Sequence, residues 1–376
     1  MLKGKTGRIL LVLAMALVMM VAAAACSSGE QAPQGGTTTE GAGGGTGPAA
    51  GTQPVSVHGA GATFPYPLYS KWMDEYHKLN PNITVNYDSI GSGGGIKGIT
   101  EKTVDFAGSD APMSDKELAA APGEIIHIPT VMGAVVVTYN LPGISSGMKL
   151  DGQAVSDIFM GKIKKWNDPK LKELNPDLNL PDKDIAVVHR SDGSGTTYTF
   201  TDYLTSVSQD WAKGPGKGKE VQWPVGIGAK GNEGVSGQVS QVEGAIGYVE
   251  LAYAIQNNLP YAYLKNQAGK FVEPSIATTT AAAAGAAANM PEDMRVSIVN
   301  APGDGAYPIA TYTYLLIYQE QDDQVKGKAV VDFAWWAVHD GEKFAADLLY
   351  APLPDNVVKM VETKLQSVTY QGKPLL

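Results

Sequence analysis

The amino-acid sequence predicts an α/β protein with two domains, and three observations lead to this prediction. Strand-like runs of β-branched and apolar residues alternate with helix-like stretches, a pattern typical of α/β folds. About 320 residues follow Val55, which is too many for one typical core and enough for two. Hydrophobic residues make up 44% and charged residues 18% of the 376 residues, so the chain can bury cores of this size.

The individual elements are predicted from residue type and spacing. Apolar residues in 67–79 recur every three or four positions, which predicts an amphipathic helix after a proline-rich turn. A second helix is predicted over 329–347 and a third over the alanine-rich segment 278–290. The predicted strands cover 83–90, 134–140, 184–190, 245–250 and 311–318.

Composition excludes several classes of protein. The 29 Lys and Arg against 38 Asp and Glu give a formal charge of −9, which argues against binding to nucleic acid through phosphate contacts. One cysteine allows no disulfide framework, and the five histidines show no metal-ligand spacing, so neither a metal site nor a cofactor is predicted. After the first residues, no apolar run approaches the roughly 20 residues of a spanning helix. An acidic enzyme or binding protein that works in water fits these observations.

The first residues form a targeting segment. Basic residues at positions 3, 5 and 8 precede a continuous apolar stretch over 9–25, which is typical of a secretory signal. In an ordinary cleaved signal Cys26 would be incidental. However, Cys26 is the only cysteine of the chain, stands directly after the apolar run and is followed by Ser-Ser-Gly, which resembles a lipobox. We therefore expect 1–26 to be a lipoprotein signal peptide and Cys26 to carry lipid, palmitate included.

The segment 27–54 is predicted to be a flexible tether. It contains almost no large apolar side chain and is rich in Gly, Thr, Ala and Pro, so it cannot repay the entropy of ordering. A flexible chain of this length reaches about 30 Å, enough for a folded body to work just above a membrane. Removal of the signal peptide deletes three positive charges and takes the formal charge from −9 to −12.

Four segments combine glycines with small hydroxyl side chains at predicted strand-to-helix junctions. Glycine lets the backbone approach a ligand closely, and the free N–H groups at a helix start carry partial positive charge, so such junctions bind phosphate-like anions. Each segment alone is equally explained by turn chemistry and an N-cap. Together, and with Arg190 in one of them, they indicate an anion site. The segments are 59–65, 91–95, 105–112 and 190–197.

Nucleotide-binding motifs are not supported by the sequence. The segments 93–98 and 226–231 match G-x-G-x-x-G, but chance matches are expected among 44 glycines, and the motif requires a βαβ unit with a placed acid. The segment 193–197 lacks the lysine of a P-loop. Neither a dinucleotide nor ATP is predicted.

Five longer motifs are more specific than any glycine pattern: GAGATFPYPLYSKW (59–72), TVDFAGSDAPMS (103–114), GKIKKWNDP (161–169), RSDGSGTTYTFTDYL (190–204) and GAIGYVE (244–250). In this order they resemble the periplasmic phosphate-binding proteins of bacterial phosphate ABC importers, and the similarity runs from about residue 57 to the C-terminus. The resemblance implies a type II periplasmic-binding-protein fold, with two α/β lobes joined by two crossover hinge segments and one anion between them. Lobe I is expected at 55–129 plus 309–376, and lobe II at 130–308.

The resemblance also implies which residues contact the anion. Hydroxyl and backbone N–H groups come from both lobes, while Arg190 brings the formal positive charge on a planar fork that suits two phosphate oxygens. Asp192 is expected to pair with Arg190 and to orient it. The residues expected to contact phosphate are Thr63, Phe64, Ser92, Asp110, Arg190, Ser194, Gly195 and Thr196.

Asp110 is the most informative member of this set. A carboxylate repels an anion unless the anion has a proton to donate, and near neutral pH phosphate has one whereas sulfate does not. A buried, ionised Asp110 is therefore expected to accept phosphate and to reject sulfate. The alternative is a solvated turn aspartate before Ala111 and Pro112.

Two positions depart from the family pattern. Ser92-Gly93 stands where relatives often have paired serines, so the hydroxyl of the second position is missing while its N–H is retained. His189 occupies a position often held by arginine, so extra positive field would arise there only when the histidine is protonated.

The sequence thus predicts a receptor and not an enzyme. The expected protein is a lipid-anchored monomer on the extracytoplasmic face of the cell membrane that captures phosphate and hands it to a membrane permease. Two alternatives stay open. The same fold could bind sulfate, molybdate or an organic phosphate, or the protein could be a phosphoester hydrolase with Ser194 or Thr196 as nucleophile and His189 as the nearby base.

Overall fold

The computed structural model describes residues 53–286 and 290–376. The predicted signal peptide (1–26), the lipidation site Cys26 and the tether up to residue 52 lie outside the described residues. Within the described part of the chain, no helix is both long and apolar enough to cross a membrane.

Strands and helices alternate along the described chain. The strands are β1 (Val55–Gly61), β2 (Ile83–Ser89), β3 (Phe106–Ser109), β4 (Ile125–Tyr139), β5 (Lys149–Leu150), β6 (Ala186–Arg190), β7 (Ile227–Ala229), β8 (Ala245–Glu250), β9 (Tyr263–Lys265), β10 (Phe271–Val272), β11 (Ala310–Tyr318), β12 (Thr369–Tyr370) and β13 (Lys373–Pro374). The helices are α1 (Tyr66–Leu79), α2 (Ser92–Thr100), α3 (Asp115–Ala120), α4 (Gly152–Phe159), α5 (Pro169–Leu174), α6 (Gly195–Val207), α7 (Gln209–Lys213), α8 (Gly231–Gln241), α9 (Leu251–Gln256), α10 (Ile276–Ala286), α11 (Gln324–Val338) and α12 (Asp355–Gln366).

All five predicted strands are confirmed, but one of them is longer than the sequence indicated. The prediction at 134–140 found only the end of β4, which begins at Ile125 and is buried over its whole length. Pro129 weakens the strand signal, because proline cannot donate a hydrogen bond within a central strand. The structure accommodates it at an irregularity, since the register between β4 and β11 shifts between Thr313 and Tyr314, and Tyr314 pairs with Pro129.

The three predicted helices are confirmed, but one of them is shifted at both ends. The helix at 67–79 is α1, and the alanine-rich helix is α10, whose predicted residues 287–289 lie outside the described chain. The helix predicted over 329–347 instead begins at Gln324, because the Asp323 carboxylate accepts the N–H groups of Val325 and Lys326 at 2.8 and 3.0 Å. It ends at Val338, and the chain continues in two short 3₁₀ turns.

The eight-stranded main sheet has two halves that share β4. Its order is β2-β1-β3-β11-β4-β8-β6-β7. β4 pairs with β11 through Ile125 to Ala134 and with β8 through Val135 to Tyr139, antiparallel in both cases. We call the part built on β2, β1, β3 and β11 lobe I, and the part built on β8, β6 and β7 lobe II. The chain passes between the lobes along β4 and again before β11.

The strand directions determine where a site can form. In lobe I, β1 is parallel to both β2 and β3, so these strands end at one edge of their half-sheet. In lobe II, β6 is parallel to both β7 and β8, so Arg190, Ala229 and Glu250 also end at one edge. Ligands of open α/β sheets bind beyond the carboxyl ends of the strands. In this fold the carboxyl ends of the strands of both lobes meet at the junction between the lobes, where hydrogen bonds cross from one lobe to the other.

Candidate anion-binding site between the lobes

Three of the four predicted glycine-rich segments lie at strand-to-helix junctions in the structure. The segment 59–65 connects β1 to α1, and 190–197 connects β6 to α6. The segment 91–95 follows β2 and contains the first residues of α2, so that Gly93 to Gly95 lie inside the helix. Only 105–112 differs, since residues 106–109 form β3. A Cβ on Gly95 would lie 2.6 Å from the Ala60 carbonyl oxygen. The glycines therefore let α2 pack directly on the end of β1 rather than forming a loop before the helix.

The structure brings the predicted contact residues of both lobes together. Ser92 Oγ in lobe I accepts the Gly195 N–H of lobe II at 3.0 Å and the Asp110 N–H at 3.3 Å. A Cβ on Gly195 would lie 2.5 Å from both Asp110 Oδ2 and Ser92 Oγ, so only glycine fits at this position. All eight predicted residues are buried: Thr63, Phe64, Ser92, Asp110, Arg190, Ser194, Gly195 and Thr196.

Arg190 provides the positive charge of this cluster from the end of β6. It is 3% exposed, and its backbone N–H donates to the Tyr248 hydroxyl at 3.2 Å. The expected pair with Asp192 is present, since Nε donates to Oδ1 at 2.8 Å and Nη2 to Oδ2 at 2.5 Å. Nη1 lies 3.4 Å from Thr196 Oγ1. The bidentate pair therefore occupies one edge of the guanidinium and turns Nη1 toward the other site residues.

Asp192 is the charged partner that keeps Arg190 in place. Burial pushes the pKa of this carboxyl upward, but the hydrogen bonds and the charge of Arg190 outweigh burial and hold the pKa below its usual value. The Gly231 N–H, at the start of α8, donates to Asp192 Oδ1 at 3.1 Å. Asp192 is therefore ionised at neutral pH and links β6 to α8.

Ser194 caps the helix that begins at Gly195. Its Oγ accepts the Thr197 N–H at 3.0 Å, as expected of an N-cap serine. The 13-residue helix α6 consequently presents its partially positive start to the junction. Because the Ser194 oxygen accepts this bond, the O–H proton is the part of the side chain that is left to donate.

Asp110 is a buried carboxyl on the lobe I side. It is 2% exposed, so the alternative of a solvated turn aspartate is wrong. Its Oδ1 accepts the Thr313 hydroxyl at 2.8 Å. Burial raises the pKa of Asp110 to about 7, although the Thr313 hydrogen bond and the charge of Arg190 both act in the opposite direction. In the free protein the carboxyl is thus divided between its two forms near neutral pH, whereas the sequence led us to expect an ionised group.

His189 has surroundings different from those of Arg190. Its ring stacks on Trp223 with the centroids 4.7 Å apart and the planes 10° apart, and its Nδ1 lies 3.0 Å from the Arg190 carbonyl oxygen. Neighbouring side chains of a strand point to opposite faces. The His189 ring therefore packs on the face of β6 opposite the Arg190 guanidinium.

Sequence reasoning missed two buried residues that join the site. Asn232 and Glu250 are both 0% exposed. Asn232 Nδ2 donates to Thr63 Oγ1 at 2.7 Å and to Thr196 Oγ1 at 3.2 Å, and its Oδ1 accepts the Glu250 N–H at 3.0 Å. A signal for Asn232 did exist, because the glycine pattern 226–231 ends directly before it at a strand-to-helix junction.

Glu250 and Tyr350 connect the lobes behind this site. The Tyr350 hydroxyl lies 2.6 Å from the Phe64 carbonyl oxygen and 3.1 Å from Glu250 Oε2, which also accepts the Ala252 N–H at 2.8 Å. Burial raises the pKa of Glu250 well above its usual value. Glu250 therefore holds a proton more readily than an exposed glutamate does.

Ion pairs join the lobes at the rim of the junction. Lys219 of lobe II lies 2.5 Å from Glu117 on α3, and Arg295 lies 2.7 Å from Asp115 on the same helix. The Lys219 and Glu117 side chains are 19% and 28% exposed, so this pair is partly shielded from water.

Among residues 53–286 and 290–376, no three His, Cys, Asp or Glu side chains cluster as ligands for a metal ion.

Two α/β lobes that share one strand and meet at a buried polar site define a two-lobed solute-binding protein. In agreement, a model of the PBP superfamily domain matches residues 37–340. A solved phosphate-binding protein from Stenotrophomonas maltophilia has this fold with a TM-score of 0.63 at 23% identity, covering 82% of this chain and 93% of the other.

Curated relatives give the family. The phosphate-binding protein PstS of Pasteurella multocida is 46% identical over 327 residues, which is 86% of this chain and 94% of the relative. The phosphate-binding protein PstS of Haemophilus influenzae is 47% identical over 310 residues, 82% of this chain and 92% of the relative. The chain therefore belongs to the PstS family of phosphate-binding proteins.

Proposed function

We propose that this protein binds inorganic phosphate between its lobes and delivers it to the membrane permease of an ABC importer. One observation carries the proposal: a buried guanidinium, a buried carboxyl and several hydroxyl groups from both lobes lie at one junction. Cations and N–H or O–H donors suit the phosphate oxygens, and the carboxyl suits the phosphate proton. The names of the 46–47% identical relatives support the same ligand.

The proposed ligand contacts divide into charge and hydrogen bonds. Arg190 supplies the formal charge, with Asp192 as its supporting partner. The start of α6 adds N–H groups with partial positive charge. The full proposed contact set is Thr63, Phe64, Ser92, Asp110, Arg190, Ser194, Gly195 and Thr196.

Asp110 is the proposed selectivity residue. A protonated phosphate donates its hydrogen to the ionised Asp110 carboxylate, whereas sulfate has no hydrogen and meets uncompensated repulsion. Because the Asp110 pKa is about 7, rejection of sulfate is strongest above that pH and weakens as the carboxyl becomes protonated.

A receptor role is better supported than hydrolysis. A hydrolase would need a base beside Ser194 or Thr196, and the only candidate from the sequence was His189. That ring instead stacks on Trp223 on the other face of β6, and the Ser194 oxygen accepts a helix N–H. We therefore propose that the protein is not an enzyme.

We also propose that Cys26 is lipidated and that 27–54 tethers a monomeric body to the extracytoplasmic face of the cell membrane. The support is the sequence pattern around the single cysteine. The body consists of lobe I (55–129 plus 309–376) and lobe II (130–308), and the change of strand partner within β4 supports a hinge there. Mass spectrometry of the membrane fraction tests the anchor, since Cys26→Ser should abolish both the lipid mass and membrane retention.

The function is tested by calorimetric titration of residues 27–376. The protein is first stripped of bound anion by unfolding and refolding, and phosphate and sulfate are then titrated at physiological salt and about pH 8, above the Asp110 pKa. We expect one phosphate per chain and no sulfate. Binding of sulfate alone would overturn the ligand, and binding of neither anion would overturn the receptor function.

A further inference from the structure

Asn232 connects hydroxyl groups of the two lobes through one side-chain amide. The residue lies at the start of α8 in lobe II and is 0% exposed. Its Nδ2 donates to Thr63 of lobe I at 2.7 Å and to Thr196 of lobe II at 3.2 Å. Both hydroxyls belong to the proposed phosphate contacts, yet Asn232 itself is not among them.

These bonds determine which way the hydroxyl protons point. A hydroxyl has one proton to donate and two lone pairs that accept. Thr63 Oγ1 accepts both the backbone N–H of Asn232, at 3.1 Å, and its Nδ2. With both lone pairs engaged, the Thr63 oxygen is left with its O–H as a donor.

Thr196 is in the same situation in the opposite lobe. Its Oγ1 accepts from Asn232 Nδ2 and, at 3.4 Å, from Arg190 Nη1. Its proton is likewise left to donate. The oxygens of an anion accept hydrogen bonds and, apart from any proton the anion carries, cannot donate them. Two hydroxyls oriented as donors therefore bind the anion, whereas two oriented as acceptors would repel it.

The orientation of the Asn232 amide is itself determined by its surroundings. Its Oδ1 accepts the Glu250 N–H at 3.0 Å, so the NH₂ group faces the two hydroxyls. Glu250 is held in turn, because its carboxyl caps α9 through the Ala252 N–H at 2.8 Å. The chain of bonds thus runs from a helix cap to the anion donors.

We propose that Asn232 is a positioning residue that orients the Thr63 and Thr196 hydroxyls as donors to the bound anion. The inference rests on the proposed phosphate function and assigns a new role within that site. Because Thr63 and Thr196 come from different lobes, the amide bridges them only when the lobes are together. Lobe closure and donor orientation are therefore coupled through one side chain.

The test replaces the amide by two groups of nearly the same shape. Asn232→Leu removes both the NH₂ donor and the Oδ1 acceptor of the side chain. Phosphate affinity should then fall at least roughly 10-fold, because a hydrogen bond to a charged group usually contributes that much. Asn232→Asp places an acceptor against both hydroxyls, and an ionised carboxyl there would turn their protons away from the anion. At about pH 9 the phosphate affinity of Asn232→Asp should be at least roughly 100-fold below that of wild type. Toward about pH 5 this ratio should recover at least roughly 10-fold, because the introduced carboxyl is then protonated and can donate a hydrogen bond.

The pH-dependent recovery separates donor orientation from simple loss of packing. The matched control is Asn266→Asp, since Asn266 is also buried and donates to the backbone carbonyls of Gly303 and Asp304, far along the chain from the site residues. This control should lower the melting temperature without changing the ratio of its phosphate affinity to that of wild type across pH.

The outcomes distinguish the two proposals. If wild-type protein binds no phosphate, the proposed function fails. If wild type binds and Asn232→Leu binds within twofold of it, or the Asn232→Asp ratio is independent of pH, the role of Asn232 is overturned. Melting curves identify a variant that does not fold. If Asn232→Asp does not fold, the phosphate affinity of Asn232→Leu tests the role of Asn232. If neither variant folds, Asn232→Ser is used, and binding of phosphate within twofold of wild type would overturn that role.

Discussion

The two lobes face the site with different chemistry. Lobe II presents Arg190 already paired with Asp192, and the pKa of Asp192 is held low by that pair. Lobe I presents Asp110, whose pKa burial raises to about 7. The Asp192 carboxyl of lobe II therefore stays ionised near neutral pH, whereas the Asp110 carboxyl of lobe I exchanges a proton there. In the proposed site the work is therefore divided, since Arg190 of lobe II balances the charge of the anion and Asp110 of lobe I accepts a hydrogen bond from the proton of the anion.

The strongest way to break this division is to change Arg190. Arg190→Ala should weaken phosphate binding by at least roughly 1000-fold, because it removes the formal charge and leaves Asp192 buried without its partner. Arg190→Lys retains the charge but cannot reproduce the bidentate fork, and it should still weaken binding by roughly 100-fold. Calorimetric titration measures both effects.

Arg295 offers a matched control for Arg190. It also carries a guanidinium bound to a carboxylate, but at the rim of the junction rather than at the site. Arg295→Lys should change phosphate affinity less than roughly threefold, as for partly exposed ion pairs. Equal losses in the two lysine variants would contradict the assignment of the anion charge to Arg190.

The pH dependence of stability should show the proton exchanged by lobe I. The raised pKa means that folded Asp110 binds a proton more tightly than unfolded Asp110, whose pKa is near 3.8. The stabilising effect of that proton is fully present below the unfolded value and is lost as the pH rises toward about 7. The change is on the order of 4 kcal/mol, since the pKa rises from 3.8 to about 7 and one pKa unit corresponds to about 1.4 kcal/mol.

Urea unfolding of anion-free wild type and Asp110→Asn at several pH values measures this effect. Glu250 titrates in the same direction, because its pKa is also raised by burial, and it contributes to both proteins. The difference between the two proteins therefore reports Asp110 together with the part of the Glu250 pKa shift that the Asp110 charge causes. A difference that is constant between about pH 4 and 7 would show that Asp110 is ionised throughout.

Anion selectivity should depend on the Asp110 carboxyl of lobe I. Asp110→Asn removes the carboxylate that is proposed to reject sulfate, so the preference for phosphate over sulfate at about pH 8 should fall by roughly 100-fold. In wild type the same preference should fall as the pH drops below the Asp110 pKa of about 7. Competition titrations with both anions measure the ratio, and an unchanged ratio in the variant would assign selectivity to other residues.

The smallest expected effect concerns the rim of the junction. Glu117→Gln removes the ion pair with Lys219 that joins the lobes, without touching the proposed anion contacts. The release rate of phosphate should rise roughly 3- to 10-fold, as expected for a partly exposed pair of about 1 kcal/mol, while the association rate changes less. Stopped-flow displacement measures the release rate.

The control for the rim is Lys217→Gln. Lys217 pairs with Asp202 at 2.8 Å, and both residues belong to lobe II. Loss of this pair should leave phosphate release unchanged because it does not connect the lobes. The effect of Glu117→Gln should also diminish at high salt, where exposed charges are screened.

The features of this protein that depend on local chemistry could be predicted from its amino-acid sequence. β-branched runs identified five strands, spacing identified α1, and Arg190 and Asp192 stand two residues apart, close enough to pair at the end of a strand. Ser194 could be recognised before its helix because an N-cap acts on the next few residues. Long motifs, which carry many such local requirements at once, indicated the family.

The properties that depend on contacts between distant segments could not be predicted in this way, because they arise from the tertiary fold. Asn232 joins Thr63 across 169 positions of the chain, and Asp110 meets Thr313 across 203. Burial then set the pKa of Asp110, and strand packing turned His189 toward Trp223. Local patterns specify which groups are available, but desolvation and cross-lobe hydrogen bonds arise only when the folded chain excludes water from the junction.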